Sequence, residues 1–150
     1  MKFTVEKNTL FKSLSHVQSI VEKKNTLPIL SNILLDAKKN SLVISATDMD
    51  ISITEKLSCN IIEEGSTTVS AHTFYDIIRK LPDSNEIEII SNDGKIISLR
   101  AGKSKFSLGC LPKEDFPIIE IGDLGVEMNI DSQKFLNLID KTRFAISNEE

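Results

Sequence analysis

Apolar side chains alternate at the start of the chain, with Phe3 and Val5 on one side of "MKFTVE". After Glu6 the rhythm changes: Leu10, Phe11, Leu14 and Val17 recur at three- and four-residue spacing. Alternation predicts a half-buried strand, and the longer spacing predicts a one-faced helix, here over residues 7–21. The same switch occurs in "TTVSAHTFYDIIRKL" (67–81), with a helix predicted over 71–81. It occurs again in "MNIDSQKFLNLIDKT" (128–142), with a helix over 132–143. At an offset of 64, Val5 matches Val69, Thr9 matches Thr73, Phe11 matches Tyr75 and Leu14 matches Ile78. In the third copy, at an offset of 61, Ile130, Phe135, Leu136 and Ile139 take the corresponding positions. Glu6, Ser70 and Asp131 stand at the switch points, where an acceptor side chain can cap a helix N-terminus or favour its dipole.

The intervening segments also correspond. Residues 29–57 hold three alternating runs broken at Lys39-Asn40 and Thr47-Asp48. Residues 86–108 hold three more, broken at Asn92-Asp93-Gly94 and Ala101-Gly102-Lys103. Such breaks are turn signals. The unit is therefore β-α-β-β-β, present twice in residues 1–121. Residues 122–125 (Gly-Asp-Leu-Gly) read as a linker, and residues 126–150 as the start of a third unit in a second domain. The fold class is α+β, with the first two helices side by side on a continuous antiparallel sheet. Three strands should follow the third helix, so the sequence is expected to be a piece of a longer repeated protein.

Composition narrows the function classes. The chain has 150 residues, 40% of them hydrophobic, with seven Phe, one Tyr and no Trp. A chain of this size buries roughly two-thirds of its unfolded surface and needs no staple. Cys59 and Cys110 belong to no CxxC pattern and read as reduced thiols of a cytoplasmic protein. No run is apolar enough for a membrane span, and the N-terminus is too polar for a signal peptide. No phosphate-cradling glycine motif is present. His16 and His72 have no partner at metal-ligand spacing and read as surface helix positions. Asp48 and Asp50 read as turn formers, and Cys110 has no local His to activate it. No enzyme active site, metal site or cofactor is expected.

The formal net charge is −4, but it is unevenly distributed. The three predicted helices carry +2, +1 and +2, through Lys7, Lys12, Arg79, Lys80, Lys134, Lys141 and Arg143 less Asp76 and Asp140, so the remaining residues carry −9. A basic helical face on an acidic body suits contact with a polyanion on one side only. No helix carries an Arg/Asn/Gln cluster for base readout, and no aromatic–basic interleaving suggests a stacking platform. Nucleic acid, if bound, would be held through its backbone without sequence preference.

Several stretches together resemble one known family: "MKFTVEK" (1–7), "TLPILSNILL" (26–35), "ATDMDISI" (46–53), "TTVSAHTFYDIIRKLP" (67–82) and "GKSKFSLGCLPKEDFP" (102–117). The chain is similar, over its whole length, to the N-terminal portion of bacterial DNA sliding clamps, the β subunit of the replicative polymerase. The resemblance implies the DNA clamp fold and a non-catalytic processivity factor. Its members are head-to-tail rings of two three-domain subunits, with helices lining a hole for double-stranded DNA and sheets forming the wall. It implies DNA-facing positions at Lys24, His72 and Glu149. Lys24 and His72 stand at basic positions of the family, and Glu149 stands where relatives carry glutamine. Lys12, Arg79 and Lys80 are further candidates by helix position. Phe106 and Leu108, with Lys103 and Lys105 beside them, are implied at the edge strand that meets the second subunit, together with Thr73 and Ile77. Polymerase and clamp loader would bind elsewhere in the full protein, in a groove to which no residue here can be assigned. Lacking the third domain, this stretch alone is expected not to close a ring. Without the resemblance, two other classes fit: a β-rich protein-interaction module that binds no DNA, and a small hydrolase whose catalytic groups lie outside this stretch.

Overall fold

In a computed structural model, residues 1–22, 26–82, 86–118 and 128–146 are described. The first repeat runs β1 (Lys2–Glu6), α1 (Lys7–Val17), β2 (Asn32–Lys38), β3 (Ser41–Thr47) and β4 (Ser52–Ser58), followed by β5 (Asn60–Glu63). The second runs β6 (Gly65–Ser70), α2 (Ala71–Lys80), β7 (Glu86–Ile90), β8 (Ile96–Ala101) and β9 (Ser104–Gly109). A 3₁₀ turn, Gln18–Ile20, extends α1, and α2 stops where Pro82 follows Leu81. A later helix, α3 (Ser132–Thr142), belongs to a separate unit.

The expected single continuous sheet is not what forms. The described residues form two antiparallel sheets, ordered β5-β1-β7-β8-β9 and β4-β3-β2-β6. Each repeat's first strand leaves its own unit and pairs with the other's: Val5 lies opposite Ile87, and Val69 lies opposite Ile33. Val5 and Val69 are the matched positions of the repeat, so the exchange is reciprocal. Period-2 alternation satisfies either partner equally, which is why sequence left the pairing open. Past Cys59 the chain passes directly from one sheet to the other: β4 pairs with β3, and β5 lies beside β1.

Both sheets and both helices close on one aliphatic core. Phe3, Val5, Leu10, Leu14, Ile33, Leu35, Ile44, Val69, Phe74, Ile78, Ile87, Ile89, Ile97 and Leu99 are all buried in it. α1 buries Leu10, Leu14 and Val17, and α2 buries Ala71, Phe74 and Ile78, one stripe each. Only the Asp131 side chain caps its helix, accepting the Lys134 N–H at 3.0 Å. Glu6 instead accepts the Thr9 hydroxyl at 2.7 Å, and the Ser70 hydroxyl donates to that of Thr73 at 3.1 Å.

Residues Met1–Ile119 form one compact unit and Glu120–Glu150 another. Within the second, α3 exposes Phe135, Leu136, Leu138 and Ile139 along one stripe. Residues 128–131, where a strand is expected before α3, are not in a strand. The expected linker, 122–125, lies outside the described residues. Among the described residues no helix is long and apolar enough to cross a membrane.

Candidate nucleic-acid interface and subunit edge

α1 and α2 lie side by side and run in opposite directions. Their contacts establish this. The Lys7 ammonium, in the first turn of α1, donates to the Leu81 carbonyl just past α2 at 2.6 Å. The His72 Nε2–H, in the first turn of α2, donates to the Val21 carbonyl just past the 3₁₀ extension of α1 at 3.0 Å. Helix C-termini present unpaired carbonyls and a partial negative charge, so donors from the neighbouring helix are favourable there. Between the two clasps, the rings of Phe11 and Tyr75 stack with centroids 5.3 Å apart and planes 21° apart. The Arg79 guanidinium lies over the Tyr75 ring, 5.7 Å from its centroid, and also pairs with Asp76 at 2.8 Å.

The proposed basic face is thinner than the charge count alone suggests. Lys7 and His72 are turned to carbonyls, and Arg79 shares its charge with Asp76. On α1 and α2, among the described residues, Lys12 and Lys80 are exposed with no ion-pair partner. A cavity of about 520 Å³ opens beside the helix pair, lined by Gln18, Ser31, Ser70, His72, Tyr75, Asp76 and Arg79. Lys24 and Glu149 lie outside the described residues. The linear sequence does not by itself bring Phe11, Tyr75 and Arg79 together as an aromatic–cation cluster. The signal was present in the 64-residue alignment, which pairs Phe11 with Tyr75, but their contact requires the antiparallel helices.

A second feature lies where α2 meets β9. A groove of about 440 Å³ is lined by His72, Thr73, Asp76, Ile77, Lys80, Leu81, Ser104 and Phe106. The structure thus gathers Thr73, Ile77 and Phe106 into one groove and adds Lys80 to it. Phe106 is 38% exposed, while Leu108, two residues on, packs against the core. Lys103 and Lys105 are exposed beside them. Among the described residues β9 pairs only with β8, which leaves its outer edge open.

The repeat makes this groove informative. Glu55 lies opposite Ile44 on β4, as Phe106 lies opposite Leu99 on β9, and His16 matches Lys80 at the 64-residue offset. In the first repeat the equivalent gap is bridged: His16 Nδ1 and Glu55 Oε1 are 2.9 Å apart. In the second, Lys80 and Phe106 cannot make that bridge, and the groove stays open.

Other candidate chemistry is structural. The Asp48 carboxylate accepts the Asp50 and Ile51 N–H groups at 3.0 and 2.7 Å, which holds its pKa below the usual carboxylate range. Met49, at φ 84°, is held by the Thr47 hydroxyl, which accepts its N–H at 3.0 Å. Burial pushes the Cys59 and Cys110 thiols up. Among the described residues no group of three or more His, Cys, Asp or Glu could hold a metal ion.

Comparison with known proteins gives the fold and the family. The DNA clamp fold is shared with a solved structure of the Caulobacter crescentus pol III beta, at TM-score 0.94 and 46% identity over all of this chain and 40% of that one. The Pseudomonas aeruginosa DNA polymerase III subunit beta superposes at TM-score 0.93 and 34% identity, over all of this chain and 41% of that one. The beta sliding clamp of Caulobacter vibrioides is 46% identical over 151 aligned residues. That of Vibrio cholerae is 38% identical, and in each case the chain spans 41% of the relative's length. The family model described as "DNA polymerase III beta subunit, N-terminal domain" matches residues 1–120, and the chain belongs to that family.

Proposed function

We propose that this chain is the N-terminal part of a ring-shaped, non-catalytic processivity factor. In this reading the full-length protein encircles double-stranded DNA in the cytoplasm and tethers the replicative polymerase. Residues 1–121 form its first domain, 122–125 a linker and 126–150 the start of the second. The observation that supports it best is the antiparallel helix pair, which carries Lys12, Arg79 and Lys80 at exposed positions of one layer. Weak, unpatterned contacts with phosphates suit a ring that must hold DNA yet slide along it. Lys24 and Glu149 belong to the same expected DNA-facing set.

The open β9 edge supplies the second half of the reading. A second subunit, head to tail, would lay its own edge strand beside β9. Phe106 and Leu108 would be the apolar anchors, Thr73 and Ile77 the groove wall, and Lys103 and Lys105 the charged rim. Such pairing removes an exposed edge. Polymerase and clamp loader would dock on parts of the protein beyond this chain.

The deciding experiment loads the full-length protein on circular duplex DNA and then linearises the circle. Retention on circles at salt that abolishes simple phosphate binding, with release on cutting, is expected. Equal retention on both, or on neither, overturns the reading.

A further inference from the structure

His72 stands at a basic position of a proposed DNA-facing layer, yet its ring is already engaged. Nε2 lies 3.0 Å from the Val21 carbonyl, which can only accept, so Nε2 carries a hydrogen. Val21 is itself buried and ends the 3₁₀ turn after α1. The opposite end of the helix pair is closed by the matching bond from Lys7 to Leu81. The two bonds form a reciprocal clasp around the Phe11–Tyr75 stack.

We propose that His72 is a positioning residue of the helix layer, acting through the Val21 carbonyl, and not a cationic contact to phosphate. The inference rests on the clamp reading for its functional consequence, but the clasp itself does not. An Nε2–H is present in the neutral tautomer and in the imidazolium alike, so the bond persists whichever form is populated. Among the described residues, the charged and titratable groups that line the two cavities beside the ring are Asp76, Arg79, Lys80 and Tyr75, all on α2. The groups facing it from the α1 extension and from β9, Gln18, Ser104 and Phe106, do not titrate. A glutamine at this position has its amide nitrogen about where Nε2 stands, and donates without ever carrying charge.

The test uses the full-length protein with His72→Gln and His72→Ala. Amide exchange over residues 17–22 should be about fivefold faster in H72A and unchanged in H72Q, the effect of losing one neutral hydrogen bond. Affinity for a duplex oligonucleotide, measured from about pH 5.5 to 8 to bracket imidazole titration, should follow the same curve in wild type and H72Q. A gap between those curves that widens as pH falls would mean that the imidazolium touches DNA, and would overturn the proposal. Unchanged exchange in H72A would overturn it as well. Wild-type protein that fails to bind duplex at any pH sinks the clamp reading instead, and leaves the exchange arm to decide the clasp.

Discussion

Phe11 and Tyr75 occupy the same position in two copies of one sequence unit, and they stack on each other, 5.3 Å between centroids. An approximate two-fold axis therefore passes near this contact. The strand exchange obeys the same axis, since Val5 against Ile87 and Val69 against Ile33 are equivalent pairs. The stack joins the helix layer across the repeat boundary. Phe11→Ala should destabilise residues 1–119 by about 2 kcal/mol, toward the low end for aromatic truncation because both rings are only half-buried. A double-mutant cycle with Tyr75→Leu should give a coupling of about 1 kcal/mol in urea unfolding.

Gly65 opens β6 where it crosses the first residue. A Cβ there would lie 2.9 Å from Met1 Cβ and 3.3 Å from its Cα, with φ at +157°. The nearest atoms are backbone or backbone-proximal, so they cannot swing aside. Gly65→Ala should lower stability by about 1–3 kcal/mol, as overpacking does, read as a fall in thermal midpoint.

Acid should loosen the turns before it unfolds the core. The Asp48 carboxyl is held low chiefly by the Ile51 N–H, and that of Asp93 by the Lys95 N–H. A carboxyl with a depressed folded pKa adds stability above its unfolded pKa, about 3.9, and loses it as pH falls through the folded value. The turns should therefore be intact at neutral pH and weaken only below about pH 4. Asp48→Asn keeps the acceptor oxygen and removes the titration. Its unfolding midpoint in urea should depend less on pH in that window than the wild type's.

Both thiols should be sluggish. Burial raises the pKa of Cys59 and Cys110, and the thiolate is the reactive form. Labelling by a thiol reagent at neutral pH should be slower than for free cysteine, and should speed up in denaturant.

The proposed interfaces separate by salt and by mass. In the full-length protein, Lys12→Ala or Lys80→Ala should each reduce the salt slope of duplex binding by about one, with little change in stability. Phe106→Ala should leave the fold intact, because the ring is partly exposed, yet weaken subunit association by about thirtyfold in sedimentation, the size of a hot-spot loss.

Part of the candidate groove is legible in the sequence. Thr73, Ile77 and Phe106 were expected together and do share a groove. His72 was expected among DNA contacts, but its donor is turned to Val21. A donor's partner depends on which backbone carbonyl is nearby, and no side-chain pattern records that. Lys80 was read as a DNA-facing charge, yet it also walls the β9 groove, because α2 packs with that side toward Phe106.

By itself the sequence determined what each segment does locally. Periodicity reports which face a helix or strand buries, and that preference follows from side-chain hydrophobicity and backbone geometry within a few residues. The repeat, the three helices, most of the strands and the sign of the helix charge all followed from it. Only the tertiary structure decided who pairs with whom. A strand's alternation is satisfied by any partner of matching register, so the exchange of β1 and β6 between repeats is settled by the long-range ladder and the shared core. The same holds for the two edges: His16 and Glu55 close one gap, Lys80 and Phe106 leave the other open, and the difference arises only once residues far apart in the chain face each other.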